Sequence, residues 1–231
     1  MVHISRQSTP KGWQISRKET KWITRPSPGP HPINKAMPLT LVVKNLLGHA
    51  KTTREVKNIL ENKNILINKK VRKDHRFPIG IFDVIEIEKT NEYFRLFQDQ
   101  KLNFILHKIS KEESNIKPSK IINKTKLKKG LTQINLSDAK NMIVKEDKYK
   151  VGDTLIIDLD KNLIKKHIKL SEGSRIYLMD GKYTGRFAKI KSITNKKDLN
   201  PSKITCEYGS KTFQTLKKYA FAIEDGITTP K

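Results

Sequence analysis

Apolar residues near position 40 recur at the spacing of a helix. Leu39, Val42, Val43, Leu46 and Leu47 lie at i, i+3, i+4, i+7 and i+8. This spacing places all five on one side of a helix. The pattern predicts a first helix over residues 39–47 with one buried face.

A second helix is predicted a few residues later. Thr52 and Glu55 have the T-x-x-E spacing of a capping box, which marks a helix N-terminus. Arg54 and Lys57 share a face because they lie at i and i+3. Apolar residues occupy another face: Val56, Ile59 and Leu60. The charged face has two interpretations, a solvated surface or a contact with phosphates.

Short apolar segments follow the two helices and predict a small sheet. Ile65 and Ile67 lie in an apolar run flanked by polar residues, 68–70 is predicted to be a turn, and Ile81–Ile87 is predicted to be a strand. Two short helices on a small sheet, with Lys and Arg on the helix face and at the turn, have the form of a small RNA-binding module.

Short strands also account for the next 80 residues, which we interpret as a central β domain. The predicted strands are Tyr93–Phe97, Leu102–Ile109, Ile116–Ile122, Ile134–Leu136, Asn141–Val144, Thr154–Leu159 and Leu163–Ile168. A basic block at Lys124–Lys129 precedes Gly130 and is predicted to be a loop, directed toward RNA or simply solvated.

The C-terminal segment is predicted to form a small closed barrel, because five short strands follow in succession. They are Ser174–Met179, Phe187–Ile193, Ile204–Tyr208, Lys211–Thr215 and Tyr219–Ile223. A basic loop with two glycines, Asp180–Arg186, joins the first two strands, and Tyr208-Gly209-Ser210 is predicted to be a hairpin turn.

Residues 1–38 have a different pattern, that of a basic arm. Six prolines interrupt any long helix or central strand. Trp13 and Trp22 are interleaved with the positive charge, and each could stack on an unpaired base or anchor the arm on its own protein. With few aliphatic residues, the arm is expected to become ordered only against a partner.

Net charge narrows the class of partner. The formal charge is +25, from 48 Lys and Arg against 23 Asp and Glu. Such a chain binds polyanions, because neutralising each phosphate releases counterions. The chain contains no run of 18 apolar residues, so a membrane-spanning helix is not expected. Nucleic acid is therefore the first partner to consider.

Candidate chemistry is sparse. The single cysteine, Cys206, excludes an internal disulfide, and neither a C-x-x-C pair nor a spaced histidine cluster is present to bind a metal. No G-x-G-x-x-G, P-loop, H-E-x-x-H or G-x-S-x-G motif occurs. We expect no enzyme activity, no metal and no cofactor, and a reducing compartment.

Several short motifs, in order along nearly the whole chain, resemble the S4e family of archaeal and eukaryotic small-subunit ribosomal proteins. They are Gly29-Pro30-His31, Met37-Pro38-Leu39, Thr53-Arg54-Glu55-Val56, Val71-Arg72-Lys73-Asp74, Phe77-Pro78-Ile79-Gly80, Asp83-Val84-Ile85, Tyr93-Phe94-Arg95-Leu96, Leu136-Ser137-Asp138-Ala139 and Gly152-Asp153-Thr154-Leu155. The C-terminal loop, with Gly181 and Gly185, is similar to the KOW motif, although Ala188 replaces a further expected glycine.

The resemblance implies an RNA-binding role and names residues for it. The helix pair and hairpin turn of the family contact RNA backbone, and the family's Asp-Gly-Lys turn is replaced here by Asn68-Lys69-Lys70. Together with the basic arm, the candidate RNA contacts are Arg6, Lys11, Trp13, Arg17, Lys18, Lys21, Trp22, Arg25, His31, Lys44, Lys51, Arg54, Lys57, Asn68, Lys69, Lys70, Arg72, Lys73, Arg76, Lys182, Tyr183, Arg186 and Lys189.

We therefore predict an α+β, mostly β chain with four parts: a basic extended arm (1–38), an S4-type α/β RNA-binding domain (39–90), a central β domain (91–170), and a KOW-type β-barrel with a short tail (171–231). The predicted function is a structural component of the small ribosomal subunit, cytoplasmic, binding folded ribosomal RNA beside neighbouring ribosomal proteins, with no small-molecule substrate. Eukaryotic members extend past the barrel, so a chain ending at Lys231 suggests an archaeal source. The alternatives are a free RNA-binding factor and a fragment of an RNA-modifying enzyme that uses the same domain.

Overall fold

The fold was analysed in a computed structural model, which describes residues 2–194, 201–209 and 211–224. Strands predominate and the helices are short, which confirms the expectation of a mostly β chain. The chain divides into two compact units: unit 1 is residues 2–117 with Leu159–Lys161, and unit 2 is Pro118–Asp158 with the described residues from 162 onward.

Unit 1 contains the arm, the two helices and the first large sheet. Its elements are β1 (His3–Ser5), β2 (Trp22–Thr24), β3 (Ala36–Pro38), α1 (Leu39–Leu41), α2 (Thr53–Glu61), β4 (Ile65–Ile67), β5 (Lys70–Val71), β6 (Pro78–Gly80), β7 (Val84–Ile87), β8 (Glu92–Gln98), β9 (Phe104–Lys108) and α3 (Lys111–Ser114), with short 3-10 turns at Arg6–Ser8 and Ile33–Lys35. The predicted first helix is present, because α1 continues as a π-helical turn over Val42–Leu46.

Five antiparallel strands form the sheet of unit 1, in the order β5-β4-β7-β8-β9. The prediction that a separate domain begins at residue 91 is wrong, because β8 and β9 complete this sheet. β7 and β8 are joined by a turn of only four residues, so the two strands pair directly as a hairpin.

The predicted strand Ile81–Ile87 is interrupted. β6 ends at Gly80 and β7 begins at Val84. Between them Phe82 has a φ of +67°, a conformation that is costly for a bulky residue. Its ring is buried and packs edge-on against Phe97, at a centroid distance of 5.4 Å. The interruption places Asp83 at the start of β7, where the sequence pattern had indicated continuous strand.

The arm is ordered against its own unit, so the prediction that it needs a partner is wrong. β1 pairs with β2, and β3 pairs with β6. The indole of Trp13 is 2% exposed and donates a hydrogen bond to the carbonyl of Ala36, at 2.8 Å. A few buried apolar residues and two short ladders therefore provide the contacts that composition alone did not indicate.

Unit 2 contains two further antiparallel sheets. Its elements are β10 (Ile116–Lys126, which begins just before the unit), β11 (Thr132–Leu136), β12 (Asn141–Val144), β13 (Thr154–Asp158), β14 (Ile164–Ile168), β15 (Arg175–Leu178), β16 (Phe187–Thr194), β17 (Lys203–Tyr208), β18 (Lys211–Leu216) and β19 (Ala220–Ala222), with 3-10 turns at Lys128–Gly130 and Lys217–Tyr219. The predicted loop at Lys124–Lys129 is partly wrong, because β10 continues through Lys126.

The strand order is β12-β11-β10-β13-β14 in the first of these sheets and β18-β17-β16-β15-β19 in the second. The second sheet encloses a small apolar core that includes Ile176, Ile190 and Cys206. All five strands predicted in this segment are present. No ladder joins β18 to β19 in the part of the chain that the structure describes, so closure into a barrel stays a prediction. Ser210 of the predicted turn and residues 225–231 of the tail lie outside the described residues.

Candidate nucleic-acid interface

Two exposed basic residues, Arg54 and Lys57, lie near the start of α2, where a capping box stabilises the helix N-terminus. The backbone N–H of Glu55 donates to the Thr52 hydroxyl at 3.2 Å, and the Glu55 carboxylate accepts from the backbone N–H of Thr52 at 3.4 Å. These bonds form the predicted capping box. Val56 and Leu60 are buried, whereas Arg54 and Lys57 are exposed to solvent.

The electrostatics of Glu55 reflect the same contacts. Hydrogen bonds from the backbone N–H of Lys51 and from Thr52 lower the pKa of the Glu55 carboxyl, and the charge of Lys51 adds to this effect. These contacts therefore favour the ionised form of Glu55, which caps the first turn of α2.

Two basic side chains from different elements lie close enough to His75 to affect it. Partial burial has the largest effect and lowers the pKa of His75, the charges of Lys57 on α2 and Arg76 in the following loop lower it further, and Asp74 opposes them. Lys57 and Arg76 therefore add positive charge to the same region of the surface. Lys57 forms no ion pair within the described residues, so its charge remains available to an anion.

The loop after β5 is held rigidly beside these residues. The Asp74 carboxylate accepts from the Arg76 N–H at 2.9 Å and from the Ser27 hydroxyl of the arm at 2.8 Å. The Arg72 guanidinium lies over the ring of Phe77, at 4.4 Å from its centroid. Lys70 and Lys73 are exposed. The loop thus contributes cations on a backbone that is bonded to the arm.

Asn68 and Lys69 form the predicted turn without a glycine. Their φ angles are +51° and +63°, as a tight two-residue hairpin turn of the I′ type requires. The Asn68 amide donates to Asp83 at 2.8 Å and its oxygen accepts from the N–H of Val84 at 3.0 Å. The Lys69 ammonium binds Glu86 at 3.0 Å.

These bonds correct the sequence interpretation of the turn. Both side chains bind inside their own unit, so the added charge of Lys69 is neutralised by Glu86. Burial raises the pKa of Glu86, and the hydrogen bond and charge of Lys69 oppose that rise. Of the three predicted contacts at the turn, Lys70 is the exposed one.

Sequence reasoning did not identify Asp83 as an organising residue. Its fully buried carboxylate accepts from the Gly80 N–H at 2.8 Å and binds Lys117 at 2.6 Å and His31 at 3.0 Å. His31 is therefore a buried partner of Asp83 and not a surface contact. No local pattern could have shown this, because the partners are distant in sequence.

Two of the three arginines of the arm bind other groups of the arm. Arg17 donates to four backbone carbonyls, those of Arg6, Gln7, Thr9 and Pro10. Arg6 binds Thr20, the carbonyl of Ser16 and Glu19. These guanidiniums hold together the loop between β1 and β2.

The two tryptophans have separate roles. Trp13 is buried, so the prediction that it stacks on RNA is wrong and the anchoring alternative applies to it. Trp22 is 56% exposed, and the Lys21 ammonium lies 5.4 Å from its ring. The remaining cations of the arm are exposed: Lys11, Lys18, Lys21 and Arg25.

The C-terminal loop combines cations with aromatic rings. Tyr183 stacks on Phe213 at a centroid distance of 3.9 Å, so its ring packs on its own sheet. Arg186 lies between the rings of Tyr183 and Tyr208, at 5.7 and 5.3 Å. Lys182 and Lys189 are exposed. The sequence had not indicated Tyr208, which reaches Arg186 from β17.

Gly181 in this loop has a φ of +90°, and an added Cβ would contact the ring of Tyr219 at 3.2 Å. Both features favour glycine there. Ala188, which replaces a further glycine of the motif, is buried in β16 opposite Ile176.

The described residues contain no cluster of three or more His, Cys, Asp or Glu that could hold a metal ion. Burial raises the pKa of the Cys206 thiol to about 11, which keeps it protonated and unreactive near neutral pH. Among the helices that the structure describes, none has the length and apolarity needed to cross a membrane.

Two family descriptions match the chain. The match to "Ribosomal family S4e" covers residues 90–164, and the match to the "RS4NT (NUC023) domain" covers residues 2–34.

Individual relatives extend the match to nearly the whole chain. Small ribosomal subunit protein eS4 of Methanococcus aeolicus is 41% identical, covering 96% of this chain and 94% of that protein. The protein of the same name from Aeropyrum pernix is 40% identical, covering 96% and 91%. Among solved structures, the 30S ribosomal protein S4e of Thermoplasma acidophilum superposes with a TM-score of 0.72 at 24% identity, covering 83% of this chain and 96% of that one. This last likeness concerns the fold.

Proposed function

The chain belongs to the S4e family of ribosomal proteins, and on that premise we propose that it is a structural component of the small ribosomal subunit that binds folded ribosomal RNA. The family is one of ribosomal proteins and not of enzymes, so the chain is expected to turn over no substrate. The predicted alternative of an RNA-modifying enzyme fragment is set aside for the same reason.

The observation that carries the proposal is the set of exposed basic side chains on α2 and in the segment after the β4–β5 turn. Arg54 and Lys57 on α2 and Lys70 and Lys73 in that segment are exposed, and the charges of Lys57 and Arg76 both act on His75. Proteins position themselves on RNA mainly through phosphate contacts, and such contacts require cations that are not already paired. Arg54 and Lys57 satisfy this requirement, since both are exposed and neither forms an ion pair with a described residue.

The proposed contacts form three groups, one on the arm, one on the helix and loop, and one on unit 2. Seven of the predicted residues have side chains that bind or pack within the protein and are left out of these groups: Arg6, Trp13, Arg17, His31, Asn68, Lys69 and Tyr183. The proposed phosphate and base contacts are Lys11, Lys18, Lys21, Trp22, Arg25, Lys44, Lys51, Arg54, Lys57, Lys70, Arg72, Lys73, Arg76, Lys182, Arg186 and Lys189.

Sedimentation tests the proposal directly. A lysate of the source cells, separated on a sucrose gradient at high magnesium, should show the protein co-migrating with the small ribosomal subunit. Dissociating the subunits should leave it with the small one. A pool that stays in the top fractions would refute the proposal and favour the alternative of a free RNA-binding factor.

A further inference from the structure

A groove of about 660 Å³ lies within unit 1, between the arm and the segment that joins α1 to α2. The arm contributes His3, Arg6 and Trp22 to the lining of the groove, and the joining segment contributes Lys44 and Lys51. The volume is in the range of pockets that hold a small ligand, roughly 300–1,000 Å³, and is too small for a nucleic-acid helix.

The charge of the walls favours an anion. The lining includes three Lys or Arg side chains, those of Arg6, Lys44 and Lys51. It contains one carboxylate, that of Glu19. That carboxylate is already bound to Arg6 at 3.1 Å. The ammonium groups of Lys44 and Lys51 form no ion pair within the described residues, so the groove has an excess of positive charge.

The rim of the groove carries an aromatic surface. Trp22 is 56% exposed although the other tryptophan of the arm is 2% exposed. A solvent-exposed indole does not gain the free energy of burial, whereas stacking on an unpaired base would cover it. The nearby Lys21 ammonium, 5.4 Å from the ring, places a further cation beside this surface.

We propose that this groove binds a single unpaired nucleotide of RNA, with its base stacked on Trp22 and its phosphate between Lys44 and Lys51. The inference rests on the proposed function and makes it more specific. An unpaired nucleotide fits because it offers both an aromatic face and an anion within the volume available, whereas a duplex hides its base faces.

Tryptophan fluorescence of the full chain tests this inference. The probe is a short oligouridylate, compared with a blunt RNA duplex of equal length. Binding of the single strand should quench the exposed Trp22. Trp22→Ala should weaken the affinity for the single strand roughly tenfold, from the stacking contribution of one base, and leave the affinity for the duplex unchanged. Trp22→Phe keeps a ring and should restore most of the affinity.

Charge variants provide the matched control. Lys44→Ala with Lys51→Ala should weaken single-strand binding clearly more than Lys89→Ala with Lys101→Ala, which removes the same charge from two exposed turns of the same unit. If Trp22→Ala, folded by circular dichroism, binds the oligouridylate as the wild type does, the groove is not a nucleotide site. The affinity of the wild type for folded ribosomal RNA is measured separately, and its absence would instead refute the proposed function.

Discussion

The buried carboxylate of Asp83 accepts hydrogen bonds from four stretches of unit 1. His31 belongs to the arm, Asn68 to the turn, Gly80 to the end of β6 and Lys117 to β10. Burial raises the pKa of the Asp83 carboxyl, but the charges of Lys117 and His31 outweigh that effect and hold the pKa well below its usual range. One ionised residue therefore fixes the arm to the module.

Asp83→Asn is expected to destabilise unit 1 by about 3–5 kcal/mol, because it leaves the buried ammonium of Lys117 without its counter-charge. Urea unfolding followed by tryptophan fluorescence measures this, since Trp13 and Trp22 both lie in unit 1. The control is Glu92→Gln, which removes a surface ion pair with Lys108 in the same unit and should cost less than about 1 kcal/mol. Equal effects of the two variants would contradict the assigned role of Asp83.

The same residue sets the direction of the pH dependence. In the unfolded chain the carboxyl of Asp83 binds its proton near pH 4, which is above its pKa in the folded protein. The contribution of Asp83 to the free energy of unfolding is therefore fully present above about pH 4. It is lost as the pH falls further, because the unfolded state then binds more protons. The stability of the wild type should fall more steeply below about pH 4 than that of Asp83→Asn.

Sequence reasoning at the scale of residues succeeded for local pairs and failed for distant ones. The Thr52–Glu55 cap could be predicted because both partners lie within one turn. The two tryptophans could not be told apart, since an indole suits a core as well as a base. Their roles depend on which face of the arm packs on the rest of unit 1. That face is determined by the pairing of β1 with β2 and of β3 with β6, which joins residues distant in sequence.

At the scale of elements, the hairpin turn between β4 and β5 shows how a glycine can be replaced. Asn68 and Lys69 both adopt positive φ angles, which asparagine tolerates better than most residues. The side-chain bonds of Asn68 to Asp83 and Val84 hold the turn against β7. The position of the turn was predicted correctly. The inward direction of the Asn68 and Lys69 side chains could not be predicted, because their partners lie in or next to β7, more than ten residues away.

Asn68→Ala is expected to destabilise unit 1 by about 3 kcal/mol. About 1 kcal/mol comes from placing alanine at positive φ, and about 1 kcal/mol from each of the two lost hydrogen bonds. Asn91→Ala is the matched control: Asn91 lies in the β7–β8 turn of the same unit, also at positive φ, and is exposed. It should lose only the first of these contributions. If both variants unfold at the same urea concentration, the bonds of Asn68 contribute nothing.

Domain boundaries were less predictable than strands. The strands of residues 91–108 could be located from their apolar pattern, but the pattern does not state which sheet they join. A short turn after β7 was the available signal that β8 continues the module. Helix and strand positions thus follow from local sequence, while the division into units depends on pairing between strands.

At the scale of the whole molecule, a net charge of +25 predicts polyanion binding but not which cations perform it. The structure separates them. Arg6, Arg17 and Lys69 bind groups of their own unit, while Arg54 and Lys57 do not. An argument from total charge treats these two classes alike. The ordered arm does not distinguish the two remaining functions, because an arm that folds on its own module suits a ribosomal component and a free RNA-binding factor equally well.

The difference between bound and available cations gives the last prediction. Arg54→Ala with Lys57→Ala should lower the affinity for a small-subunit ribosomal RNA fragment without changing the unfolding midpoint of unit 1, since both side chains are exposed. In a plot of log affinity against log salt concentration, each phosphate contact contributes a slope of about 0.9 on a duplex. Removing two contacts should therefore reduce the slope by about 1.8. Lys89→Ala with Lys101→Ala removes the same net charge and should leave the slope nearly unchanged. A similar decrease in both variants would mean that the fragment responds to the overall field of the protein, and the face of α2 would then be an ordinary solvated surface.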